Sequence, residues 1–168
     1  GNGAVGIFNL GSGNITTVSG TGSIETEGKE AHGFFISGSK NTTTLLGSIE
    51  TAGYSANGIW NQGKDNKTTV SGAGSIKTTG DNAHGVLNSG NENTTTVSGS
   101  ITTTGNRAWG IANYQVDDKG DELSSDSNET TVSGSITTAE AGANGITNYG
   151  KKNITTVSGA GSITTTGD

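Results

Sequence analysis

Cysteine and proline are both absent from these 168 residues, and aromatic residues make up only 5%. Without cysteine there are no disulfide staples and no thiolate metal sites. The same absence fits a chain that crosses an oxidising compartment without forming wrong bridges. Disordered chains are usually rich in proline, glutamate and lysine, whereas here proline is missing and charged residues amount to 14%. Positive charge is scarce: the net charge is −6 and Arg107 is the only arginine. That balance argues against nucleic acid or an anionic membrane surface as a partner. No apolar run approaches the ~20 residues of a membrane helix, so membrane insertion by this segment is not expected. What remains is Gly, Thr, Ser and Asn around 27% apolar residues. So little apolar surface would not offset the ordering entropy of an ordinary globule, but threonine favours strands. A fold with a thin, continuous core could use such a sequence.

Internal periods supply that fold. A-x-G occurs at Ala4–Gly6, Ala31–Gly33, Ala56–Gly58, Ala83–Gly85, Ala108–Gly110 and Ala143–Gly145. Each is followed by an asparagine opening a Thr-rich stretch (Asn14, Asn41, Asn66, Asn93, Asn128, Asn153) and then by an isoleucine (Ile24, Ile49, Ile76, Ile101, Ile136, Ile163). From each isoleucine to the next A-x-G glycine is always 9 residues, and unit lengths are 25 or 27 with one of 35. Length varies at only two points, a Gly-x insertion before SI and a ten-residue excess between Asn113 and Asn128. Fixed segments joined by tolerant corners describe a polygon whose sides are strands. Asn-Gly pairs would suit hairpins, but other units carry His-Gly, Val-Gly or Trp-Gly at that place.

The sequence therefore predicts an all-β protein, a right-handed parallel β-helix. This three-sided solenoid has about six coils of 25–27 residues. It forms a single unit over 1–168, with a corner insertion at 114–127. Coils ~4.8 Å apart give a rod of roughly 30 Å. Matching residues would stack on one another: Val18, Leu45, Val70, Val97, Val132 and Val157 in one interior column, the six isoleucines in a second. Ile7, Phe34, Ile59, Val86, Ile111 and Ile146 are candidates for a third. Alternation turns Asn93, Thr95 and Val97 inward and Thr94, Thr96 and Ser98 outward, so the asparagine column would form a ladder of amides. Alternation is ambiguous across A-x-G, where a bend is expected.

Units such as NAHGVLNSGNENTTTVSGSITTTG resemble the repeats of bacterial autotransporter (type V secretion) passenger domains, over essentially the whole chain. The resemblance implies an exported, extracellular rod attached at the outer membrane, and many such passengers are adhesins or self-associating factors. A minority carry enzymes. The family's signal peptide and translocator barrel are not in this sequence, and both ends fall inside a unit, which implies a segment of a longer rod. The expected role is non-enzymatic adhesion to host or sibling cells or self-association, with a passive spacer displaying a distal domain as the first alternative and an ice-binding or carbohydrate-active β-helix as the next. Unpaired strand edges at both ends would also favour end-to-end self-association.

Candidate sites are few. Six N-x-T sequons occur, but the pleat already explains their spacing, and structural asparagines are the simpler reading than glycosylation. A threonine array could match an ice lattice, but Lys67, Glu129, Glu25, Glu27, Glu50 and Lys77 interrupt the faces. His32 and His84 lie two coils apart, ~9.6 Å, too far for a shared metal or a dyad. They stand at the variable place in A-x-G and are expected at the surface. No nucleophile–base pair is visible, the acidic clusters of a polysaccharide lyase are missing, and no cofactor or metal is expected. One column carries Phe8, Phe35, Trp60 and Leu87, with Trp109 in the adjoining one. If exposed, this stripe would bind glycan rings or a second rod; if buried, it is the widest part of the core. The corner insertion carries Asp117, Asp118, Asp121, Glu122 and Asp126. Repeat rods often place partner contacts on such insertions. A weak calcium site is conceivable there, and a solvated acidic loop is the plainer reading.

Overall fold

A computed structural model of the chain describes residues 1–116, 122–123 and 125–167. Three six-stranded parallel sheets form the three sides of a solenoid of six coils. The first face holds Ile7–Leu10, Phe34–Ser37, Ile59–Gln62, Val86–Asn88, Ile111–Asn113 and Ile146–Asn148. The second holds Ile15–Val18, Thr42–Leu45, Lys67–Val70, Thr94–Val97, Glu129–Val132 and Ile154–Val157. The third holds Ser23–Glu27, Ser48–Ala52, Ser75–Thr78, Ser100–Thr103, Ser135–Thr138 and Ser162–Thr165. Each strand pairs in register with the same strand of the next coil, so Val97 lies between Val70 and Val132, and Ile101 between Ile76 and Ile136.

Like stacks on like because a slip of one residue would turn every inward side chain to solvent. All three expected apolar columns form the core, fully covered in the middle coils and open at the two end coils. The corners turn on residues in the left-handed region. Lys40, Asp65, Glu92, Ser127 and Lys152 precede the column asparagines, and Glu30, Ser55, Asn82 and Arg107 precede the A-x-G alanines.

Polar side chains complete the interior in three ladders. The column asparagines bracket the second corner: the backbone N–H of Asn66 donates to Asn93 Oδ1 at 2.9 Å, while Asn93 Nδ2 donates back to the Gly63 carbonyl at 3.0 Å. Asn41, Asn66, Asn93 and Asn128 are thereby buried, with Nδ2 engaged in each. A glycan on those atoms would break the corner, so the sequons of the inner coils are structural. On the third face, inward threonines lock the next corner, as Thr78 Oγ1 donates to the Ala83 carbonyl at 2.7 Å and Thr103 Oγ1 to that of Ala108 at 2.6 Å.

A third ladder, on the first face, was not anticipated. Asn61 Nδ2 donates to Asn88 Oδ1 and Asn88 Nδ2 to Asn113 Oδ1, both at 2.7 Å, with second bonds to the inward Thr68 and Thr95 hydroxyls at 3.0 and 3.1 Å. In the second coil Ile36 takes the asparagine's place beside Asn61. Two buried atoms consequently lack partners among the described residues, Asn61 Oδ1 and the Thr43 hydroxyl. Opposite outcomes are expected for one substitution at two equivalent sites. Thr43→Val removes an orphaned hydroxyl and should stabilise by about 1 kcal/mol, while Thr68→Val orphans an Asn61 amide proton and should destabilise by about 1–2 kcal/mol. Denaturant midpoints of the two variants check this; equal signs would contradict the ladder.

Candidate functional site

The outward positions of the first face resolve the ambiguity of the aromatic stripe: it lies on the outside of the coil wall. Phe8 is 55% exposed, and Phe35 and Trp60 are half-buried. Parallel register places Phe8 on Phe35, Phe35 on Trp60 and Trp60 on Leu87. The first two rings stack at 5.2 Å, and the Phe35 and Trp60 rings lie 4.6 Å apart. Leu87 is covered, and the Trp60 indole N–H donates to the Ser89 hydroxyl.

The histidines correct the expectation of surface residues. His32 is 5% and His84 2% exposed. The physical reason is a ladder running through the middle position of A-x-G. His32 Nδ1 accepts the backbone N–H of Asn57 at 3.1 Å, Asn57 Oδ1 accepts that of His84 at 2.8 Å, and His84 Nδ1 accepts that of Trp109 at 3.0 Å. Imidazole Nδ1 and amide Oδ1 both sit one bond beyond Cγ, so either side chain caps the next coil's N–H. An Nδ1 that accepts must carry no proton, which places the neutral ring's proton on Nε2. Burial lowers both histidines from the ordinary 6.5 to about 4, with Glu30 opposing the shift at His32. Both rings are therefore neutral at pH 7.

Around this ladder two aromatic groups face each other along the rod. Towards the first coil, the His32 ring meets Trp60 edge-on at 4.9 Å. Towards the last, His84 stacks on Trp109 at 4.9 Å and meets Tyr114, whose hydroxyl lies 3.1 Å from His84 Nε2. Trp109 is fixed by its indole N–H donating to the Gly142 carbonyl at 3.0 Å. Between the groups the repeat supplies Asn57 where its neighbours have histidine, and Leu87 where the preceding coil has Trp60. The smaller side chains leave a groove of about 580 Å³ lined by both groups, with Glu30, Ser55, Asn82 and Arg107 along its rim. Sequence reading had named Phe8, Phe35, Trp60, Leu87 and Trp109 for this stripe, but it set the histidines at the surface and gave Asn57 and Tyr114 no part in it. The recurrence of Asn and His at one column was the available signal for the ladder.

The acidic insertion divides. Asp117, Asp118 and Asp121 lie outside the described residues. The backbone of Glu122–Leu123 pairs antiparallel with that of Gln115–Val116. Asp126 belongs to the corner instead: its N–H donates to Asn91 Oδ1 at 2.8 Å and its Oδ1 accepts the Lys151 N–H at 2.7 Å. Buried Ser125 ties the returning chain to the fourth coil, its hydroxyl donating to the Asn88 carbonyl at 3.1 Å and to that of Gly90. Comparison of the chain with protein-family models, with curated proteins and with solved structures finds no match.

Proposed function

We propose that the chain is a non-enzymatic, adhesive segment of a rod exported to the bacterial cell surface, which engages host or sibling cells through its first face. The observation that carries this reading is the outward stack of Phe8, Phe35 and Trp60 running into the groove. Core stability gives no reason for large rings on the outside of a coil wall, and contiguous exposed aromatic surface is characteristic of interaction sites. The likeness of the repeat units to autotransporter passengers supports the location: extracellular and attached at the outer membrane. Apart from the exposed Ile15 and Ile154 of the two end coils, the second and third faces are clothed in Thr, Ser and scattered charges, which suit a solvated scaffold and are what a passive spacer would carry throughout.

Beads bearing this chain, offered to bacterial and epithelial cells, to glycans and to the chain itself, separate adhesion from spacing. Binding to at least one of these is expected, with a loss of about tenfold on the double substitution Phe35→Ala and Trp60→Ala, since such anchors dominate interface energetics. Beads that bind nothing, or a double variant that binds undiminished, would leave the spacer reading. Deleting residues 115–124 measures any share taken by the acidic insertion.

A further inference from the structure

The groove offers a more specific assignment, which rests on the adhesive reading. We propose that it is a saccharide-binding site, in which a short oligosaccharide lies along the rod between the Trp60 and His84–Tyr114 walls.

The floor presents hydrogen-bond donors that the fold leaves unused. Asn57 is 3% exposed, and its Oδ1 is committed to the His84 N–H. Its Nδ2 faces the groove and has no partner among the described residues. His32 is in the same condition: Nδ1 accepts the Asn57 N–H, so the proton sits on Nε2, which likewise has no partner among the described residues. Neither atom is among the sealed, unpartnered groups of the described residues, so both donors open onto the groove where a ligand can reach them. Two unengaged donors on the floor of one open groove fit an occupant bearing acceptor oxygens. Beside them stand apolar surfaces, the Trp60 indole and the covered Leu87 side chain. A pyranose ring has both features, hydroxyl and ring oxygens at its edge and a face of C–H groups that packs on aromatic rings.

Size and rim agree. A volume of about 580 Å³ falls within the range of roughly 300–1,000 Å³ common for ligand sites. From His32 in the second coil to His84 in the fourth, where the Tyr114 hydroxyl also sits, is two coil rises, about 10 Å, which is the length of a disaccharide and not of a single ring. Ser55 and Asn82 stand on the rim from successive corners, and Arg107 closes its far end. Among the described residues Arg107 forms no ion pair. A guanidinium free to take a carboxylate in bidentate fashion gives an acidic sugar a place at that end. A protein strand is a poorer occupant, because the groove walls offer no open sheet edge for it to extend.

The test uses substitutions that spare the ladder. Asn57→His supplies the same Nδ1 acceptor as its two neighbours but fills the groove with an imidazole ring. Trp60→Leu removes one wall. An immobilised panel of oligosaccharides ending in neutral hexose, N-acetylhexosamine, deoxyhexose or acidic sugars is probed with this chain and both variants. Thr96→Ala, outward on the second face, is the control. Binding of at least one class is expected, weakened about tenfold or more by Asn57→His and by Trp60→Leu and unchanged in the control. Capture of acidic sugars alone would also support the site, with Arg107→Gln then weakening it. Absence of saccharide binding, or binding that survives Asn57→His, overturns the assignment. Cell binding that persists without saccharide binding, and is lost on the Phe35→Ala, Trp60→Ala change, would sink the saccharide site and leave the adhesive face standing. Absence of both would overturn both.

Discussion

Gly85→Ala is expected to lower stability by about 3 kcal/mol or more and the melting temperature by roughly 10 °C. The glycine of A-x-G is needed for space, not for a left-handed backbone. A methyl carbon at position 85 would stand 2.6 Å from the Gly110 carbonyl oxygen of the next coil, and closer still to Ile101 Cγ2. Neither neighbour has room to move. The carbonyl oxygen accepts the Val86 N–H at 3.0 Å, and Ile101 is wholly buried between its column partners. The same clash recurs at Gly33, Gly58 and Gly110, which is why the glycine never varies while the residue before it does. Gly72 is the internal comparison. Nothing lies within 4 Å of a methyl group built there, so Gly72→Ala should be neutral or stabilise by up to about 1 kcal/mol. Thermal melts of the two variants decide the matter; similar effects at both sites would refute the packing explanation.

Acid is expected to weaken the fold through His84, and His84→Asn should remove most of that component. In the unfolded chain the imidazole titrates near 6.5, whereas burial holds it at about 4 in the folded state. Above pH 6.5 both states are neutral and His84 adds no pH dependence. Between 6.5 and 4 the unfolded chain takes up a proton that the folded chain refuses, so stability falls as pH falls and levels off below about 4. The size of the loss is on the order of 3 kcal/mol. Protonation has a structural consequence as well, since a ring protonated at Nδ1 can no longer accept the Trp109 N–H. Asparagine at 84 would keep that acceptor, as Asn57 does one coil earlier, and would not titrate. It forfeits the stacking on Trp109, so the variant should be less stable at pH 7 but lose roughly half of the histidine-linked decline to pH 4, the remainder belonging to His32. Urea unfolding at both pH values measures the difference; equal declines would mean that His84 does not titrate as a buried neutral ring.

Much of this architecture was legible in the residues, for an identifiable reason. In a solenoid the inward positions of one coil contact the same positions of the next, so Val97 and Ile101 repeat in register and disclose their columns without any alignment. The asparagine before each Thr stretch could be read as inward from parity alone, although its partners are mostly backbone groups of adjacent coils and not other amides. Parity failed at A-x-G, because the chain bends there and Ala83, His84, Gly85 and Val86 are all buried. The histidines were accordingly assigned to the surface. What hid their ladder was its incompleteness: Val5 and Trp109 occupy the same column and cannot accept a hydrogen bond. The groove lay further from view. It depends on Tyr114 reaching back to His84, and on two smaller residues, Asn57 and Leu87, falling between the aromatic groups. Single positions carry no mark of such a relation between coils.

The measurement closest to the central claim is a titration of the isotopically labelled chain with an oligosaccharide from the class it captures, followed by the side-chain N–H signals in NMR spectra. If the interrupted aromatic column of the first face is the proposed saccharide site, the Asn57 amide and Trp60 indole signals should shift in a saturable way. The backbone signals of Thr94–Val97 and Ser100–Thr103, on the other two faces, should stay still. Shifts confined to those faces or to the acidic corner, with Asn57 and Trp60 unmoved, would contradict it.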